Sequence, residues 1–532
     1  MKRKIVAIAS AVSLIGLMLG AEAALAQKSG GVLKAYHRGT PPSGSIHEEA
    51  TNSTLTPYMG VFNNLIMYRQ DVARNSLDTI VPDLAKSWSW SDDLTKLTFD
   101  LRSGVTWHDG KPFSAKDVQC TWDMLQGKRK AKMRKNPRKA WYKNLEKVTT
   151  DGNLKATFHL KRPQPAFLAL LASGYSPVYP CHVTPKKMRT HPVGTGPFKF
   201  VSLKQNEHVK FTKNQNYWKK GQPYLDGVEW TIIKSRATRV LAFIAGKFDM
   251  TFNVDVTVPL LKEVKSQAPH AICELVTTNV STNLIVNQFK PPFDNAKIRK
   301  AMVLAIDRQA FIDILSEGQN VQGGAMMPPP QGVWGMPPEF LKTVAGYNPD
   351  IAGNRAAARK IMEGLGYGPN KRLKVKVSTR NIAVYRDPAV ILIDHLKEIY
   401  MDAELDTVET SNWHAKVARK DYMVGLNLTG IGVDDPDANF YENYSCGSQR
   451  NYTGYCKPEM EKLFEKQSMM TDQAARKKLV WEIDKKLQED AARPMISHGK
   501  AAQCWQPHVK GFVTHVNSLY NNWRMEDVWM DK

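Results

Sequence analysis

Carboxylate pairs such as Glu48-Glu49 and Asp434-Asp435 are of a type that suits acid–base work. A general acid and base must face each other across a substrate, whereas neighbours on an extended chain point to opposite faces, so neither pair makes a facing couple. His108-Asp109 also invites a catalytic or metal-binding role, but Gly110 and Pro112 follow, and the stretch reads as a tight turn. The chain has no Gly-x-Ser-x-Gly elbow, phosphate-loop lysine, dinucleotide fingerprint, Cys-x-x-Cys pair or His-Glu-x-x-His helix. A hydrolase of peptides or esters is left as the enzymatic alternative, and binding is the stronger expectation. No cofactor is called for.

The net charge of +23 would suit a nucleic-acid binder. The amino terminus argues otherwise. Lys2, Arg3 and Lys4 precede an apolar run from Ile5 to Leu19 and an Ala24-Leu25-Ala26 site, the pattern of a cleaved secretory signal, so the mature chain is expected to begin at Gln27. Without a cysteine at the cleavage point, a soluble periplasmic protein follows. Most basic residues are scattered. The exception is Lys128 to Lys139, with eight basic residues, no acid, and Trp141 and Tyr142 just beyond. It reads as a solvated surface insertion able to touch anionic lipid or cell-wall polymer. Export also makes disulfides the expectation for Cys120, Cys181, Cys273, Cys446, Cys456 and Cys504.

Several elements can be read locally. Leu97, Phe99 and Leu101 alternate with polar residues as in a half-buried strand, and Ser114 with Asp117 forms a capping-box start to a helix. From Asn283 onward, strands and helices alternate. Asp294 is expected to cap a helix carrying Ile298, Ala301, Met302 and Ala305, and Asp307 the next, ending near Gly318. An irregular loop covers 323–338. A helix over 354–365 then precedes a strand with Leu373, Val375 and Val377. Asp387 and Pro388 look like the cap and first residue of another helix. A strand over 403–408, a helix with Trp413 and a strand over 422–428 complete an open, largely parallel α/β sheet.

The segment from Pro82 to Val118 contains PDLAKSW and LTFDLRSGVTWHDGKPFSAKDV, and resembles the signature of the extracytoplasmic solute-binding proteins that feed peptide, opine and nickel ABC transporters. Further stretches match in the family's order. They are Pro192 to Phe198, Asn216 to Gly221, Tyr224 to Val228, Pro292 to Asp294, Ala305 to Arg308, and Asp435-Pro436-Asp437 with Phe440. The resemblance implies an α/β two-lobed periplasmic-binding-protein fold of type II with an extra subdomain on the first lobe. The expected layout is a signal peptide over 1–26, lobe 1 over 27–67, 194–280 and 507–532, the subdomain over 68–193, and lobe 2 over 281–506. Two crossings give a hinge. The implied partners are a peptide or other small organic solute and an inner-membrane ABC permease with its ATPase; nucleic acid is not among them, and the protein is expected to be a monomer.

The resemblance also implies a site between the lobes. In peptide-binding relatives an aspartate three residues before the Asp-Pro pairs with the ligand's amino terminus; here that position is Gly432, with Asp434 a possible substitute. A lobe-2 arginine receives the ligand's carboxylate, and Arg386 falls there, with Arg380 nearby. Tyr385 and Trp413 are candidate stacking platforms, Thr429 and Asp435 lie on the same lining, and Glu48, Thr51 and Asn52 sit where relatives line the pocket from the first lobe. An anionic ligand without a free ammonium is therefore expected, and Asp at 432 is expected to restore some affinity for dipeptides. A short-loop disulfide joining Cys446 and Cys456 is implied as well. The other four cysteines allow three pairings, Cys120 with Cys181 and Cys273 with Cys504 among them.

Overall fold

Alternation along Lys96–Leu101 turns Leu97, Phe99 and Leu101 inward, and the strand becomes the second of an antiparallel sheet. Its order is Ala85–Trp90, Lys96–Leu101, Lys155–Leu160 and Leu145–Asp151. The computed structural model describes residues 27–532, so the expected signal peptide falls outside the described residues. Helix Ala115–Gln126 packs on this sheet from a capping box between Ser114 and Asp117 and ends at Gly127, whose φ of 79° suits a residue without a β-carbon. A disulfide joins Cys120 of this helix to Cys181.

The first lobe's sheet runs Val32–His37, Gly227–Ile232, His208–Lys213 and Phe198–Lys204, the first pair parallel. Gly194 and Gly196 press onto the backbone of Gly60 and Val61, where β-carbons would collide with carbonyl oxygens. His108 holds this turn from outside, its Nε2 3.0 Å from the Gly196 carbonyl and its Nδ1 accepting from Gly194 N. Burial pushes its imidazole down to about 4. Its role is structural.

The second lobe's sheet runs Met401–Val408, Leu373–Arg380, Val424–Gly430, Ile272–Val286 and Met495–Trp505. The first three strands are parallel, but the last two pair antiparallel, so the sheet is mixed rather than largely parallel. The reason is topological: the chain enters the lobe on one strand and leaves on its neighbour. These two strands form a long ribbon with Cys273 directly opposite Cys504 and disulfide-bonded to it. The register then slips between Thr277 and Ser281, where Asn279 has φ 52°. On the Cys273 side of this bulge the ribbon is bridged to Met250 and Val256; on the other it belongs to the second lobe's sheet. The return strand therefore reaches first-lobe partners ahead of residue 507.

Three helix starts differ from expectation: the helix expected over 354–365 is Ile351–Glu363, capped by Asp350. Asn295, not Asp294, caps Ala296–Ala305, because Asp294 N still bonds back to Lys290. Helix Ala383–Lys397 starts from Ile382, which places Pro388 inside it instead of at its first position. Tyr385 N and Arg386 N both bond to the Ile382 carbonyl, so the helix is already formed before the proline. Asp307 caps Arg308–Ser316 through Ala310 N at 3.0 Å.

Leu284, Val286, Ile298, Met302, Val377, Leu392 and Leu426 fill a core within the second lobe. The first lobe's core runs on without a break into Phe440, Phe464 and Ile483, which pack on the extra subdomain side. The lobes are in contact.

Candidate functional site

The acid pair of the first lobe is occupied. Glu48 takes the Arg189 guanidinium at 3.0 Å and the backbone N–H of Arg134; Glu49 accepts from Ser43 Oγ at 2.9 Å and pairs with Arg134 and with Lys135 at 3.3 Å. The basic insertion is thus no freely solvated run. Its middle is a strap folded across the molecule, drawn down by carboxylates far away in sequence. Arg138 donates to the Glu49 carbonyl, lies 3.2 Å above the Tyr175 ring centroid and reaches Glu442 of the second lobe at 3.8 Å, while Asn136 N donates to Gln449.

Thr51 caps helix Asn52–Tyr58 by accepting from Ser53 N. Asn52 accepts from Arg38 at 2.8 Å and donates to Asn253 at 3.0 Å, which aims the Arg38 guanidinium toward the second lobe. There Arg380, at the end of its strand, donates to Tyr385 Oη at 2.7 Å and to Thr410 Oγ1 at 3.0 Å. Arg386 is exposed on the following helix, and its polar partner is Asn381 at 3.4 Å. A start at Ala383 rather than Pro388 turns Arg386 outward. The buried arginine of this wall is Arg380.

Other expected positions resolve differently. Trp413 is fully buried in a small cluster with Ile285, Val417 and Tyr422, which makes it core and not a stacking platform. Thr429 Oγ1 accepts from Arg493. Asp435 caps helix Pro436–Asn443 and receives both arms of Arg476 at 2.8 and 2.9 Å, a structural ion pair in the Asp-Pro-Asp stretch. Asp434 accepts from Val333 N and from Asn517 of the carboxy-terminal segment, leaving Oδ1 without a partner; burial raises its carboxyl to about 7. Gly432 lies under Trp141 and Tyr175, so its empty position is filled from the strap's end. Glu48, Glu49 and Asp435 are thus committed to ion pairs or a cap, while Asp434 is held by neutral donors alone.

Residues without a local sequence signal complete the interface. Arg38 follows an ordinary strand, and Arg450 sits inside the loop that the Cys446–Cys456 disulfide closes. Arg450 is ion-paired with Glu442 and raised above its usual value despite burial. Tyr520 inserts its hydroxyl where a β-carbon of Gly430 would stand. Among the described residues neither Arg38 nor Arg380 has a carboxylate within ion-pair distance. Burial, followed among the lowering influences by the like charge of Arg380, pushes the Arg38 guanidinium below its ordinary value, while Tyr385 opposes this. No His, Cys, Asp and Glu group suited to a metal is present among the described residues, and none of their helices is long and apolar enough to cross a membrane.

Residues 79–451 match the family described as bacterial extracellular solute-binding proteins, family 5 Middle. Among curated proteins, the probable di/tripeptide-binding protein 5 of Pseudomonas aeruginosa is 25% identical over 478 residues, covering 82% of this chain and 84% of that one. The glutathione-binding protein GsiB of Salmonella paratyphi A is 29% identical over 364 residues, 67% of each chain. Among solved structures, the periplasmic binding protein DppA of Helicobacter pylori, in complex with the peptide STSA, superposes with a TM-score of 0.82 at 21% identity over 95% of this chain and 99% of that one.

Proposed function

Because the chain belongs to the bacterial extracellular solute-binding proteins of family 5, we propose that it is the periplasmic capture component of an ABC importer and that its solute is a small, peptide-like anion. The solute is held between the lobes and released to an inner-membrane permease and its ATPase, with lobe movement as the signal. The protein acts as a monomer without turnover. One observation carries the anionic assignment: Arg38 and Arg380 come from opposite lobes, near enough for Arg380 to depress the Arg38 guanidinium, and among the described residues neither has a carboxylate within ion-pair distance, Asp255 acting on Arg38 only from farther away while paired with Arg239. Two like charges oppose closure in a low-dielectric cleft, and an anion between them reverses the sign.

Native mass spectrometry of mature protein purified without refolding tests this reading. A retained anionic solute is expected, and adding it back to stripped protein should raise the melting temperature, since ligand at a hundred times its Kd contributes about 2.7 kcal/mol. A cationic or uncharged solute would overturn the assignment. Turnover that a single cleft substitution abolishes would overturn the whole reading.

A further inference from the structure

A cavity of about 540 Å³ lies between the lobes, with Ala50, Lys135 and Pro137 on the strap side and Phe289, His414 and the 447–456 loop opposite. None of the ligand-binding positions expected from the sequence lines it. The volume falls in the range of small-molecule sites. Its wall carries Lys135, Lys420 and Arg450 and no carboxylate. The acids nearby are already engaged: Glu49 with Arg134 and Lys135, Glu442 with Arg450 and Arg138, and Asp490 with Tyr455 and Lys457.

Two residues of this wall each hold an enclosed nitrogen without a partner, Nε2 of His414 and Nε of Arg450. When His414 Nδ1 accepts from Tyr452 Oη, 3.4 Å away, Nε2 carries the hydrogen and is a free donor. Lys420 is held by the carbonyls of Asn451 and Tyr452, both at 2.6 Å, which fixes a cation at the cavity's edge. The rest is apolar. Phe289 is 64% exposed, an unusual setting for a phenyl ring, and packs on the bare Gly454 with Lys420 above its face.

We propose that this cavity takes a carboxylate borne on a flat apolar body, with Lys420 supplying the charge and Phe289 covering the body. The chemistry is shared by a free aromatic acid and by the carboxy-terminal aromatic residue of a short peptide. The proposal rests on the reading of the protein as a two-lobed solute binder and extends it to a pocket beside Arg38 and Arg380.

Calorimetry on the mature protein with 3-phenylpropanoate, Ala-Phe and Ala-Phe-amide separates the possibilities. At least one carboxylate probe should bind, and which one does identifies the source. The amide should be weaker by about tenfold or more, as loss of a charge-assisted contact requires. Lys420→Met and Phe289→Ala should each weaken binding by a similar factor, with Lys420→Arg restoring it and showing that the loop still folds. If both carboxylates fail to bind, if acid and amide bind equally, or if Lys420→Met and Phe289→Ala leave binding intact, the pocket is wrongly assigned. In that last case a loss in Arg380→Ala would leave the solute-binder reading standing, whereas turnover of either probe would remove it.

Discussion

The indole of Trp141 stands where a side chain on Gly432 would have to go. A β-carbon built at 432 would lie 2.8 Å from Trp141 Cη2 and 3.2 Å from Ser173 Oγ. Trp141 is fully buried and its Nε1 donates to the Ala438 carbonyl at 2.9 Å, so it has little freedom to withdraw. The expectation that Asp at 432 restores an amino-terminal anchor therefore fails on space, not on backbone conformation.

Gly432→Asp should lower stability by about 1–3 kcal/mol through overpacking, without gaining affinity for free dipeptides. Denaturant unfolding and dipeptide titration of the same variant check both parts. A stable variant that binds dipeptides would show that Trp141 moves aside.

Arg380→Ala should weaken binding of the anionic solute by about tenfold to a hundredfold, the size of a charge-assisted hydrogen bond. Arg386→Ala should leave affinity unchanged, because its side chain is exposed and its partner is Asn381. Titration of the retained solute into both variants is the measurement. Equal losses would place both guanidinium groups on the ligand.

Asp434 should make stability depend on pH. Its carboxyl titrates at about 7 in the folded protein because burial disfavours its charge, against about 3.9 in an unfolded chain. Between those values the folded state binds the proton and the unfolded state does not, so this stabilisation is complete in acid and lost as the pH rises through 7. Melting temperature should therefore fall between about pH 4 and 7, and Asp434→Asn should flatten the upper part of that fall. Asp484 and Asp527, both raised to about 6 chiefly by burial, should leave a residual slope of the same sign.

Replacing Cys446 and Cys456 with serine should cost roughly 2–3 kcal/mol, the unfolded-state freedom removed by closing so short a loop. The cavity beside Lys420 should loosen with it, since the loop forms one wall. Non-reducing peptide mapping of protein from the periplasm should recover the two residues as one linked fragment.

Features that depend on neighbours in sequence were legible. The Lys96–Leu101 alternation, the Ser114–Asp117 capping box and the Asp307 cap all rest on contacts within a few residues. The strap was not. Lys128 to Lys139 carries no acid of its own, and the carboxylates that fold it down belong to Glu48, Glu49 and Glu442, which only the tertiary structure brings near. Arg38 is hidden for the same reason, since most of the chain separates it from Arg380, which was expected at the site only as a neighbour of Arg386. The outward turn of Arg386 follows from a helix start five residues before the proline that seemed to mark it.

The Cys273–Cys504 bond has a mechanical consequence. It fastens the two crossing strands together on the first-lobe side of the Thr278–Val280 bulge, where Gly499 lies opposite. Fastened leaves of this kind cannot slide along one another, so relative translation of the lobes is suppressed and bending is concentrated in the irregular stretch beyond the bolt. If the lobes open as proposed, they swing about a single axis rather than pass through a family of displaced shapes.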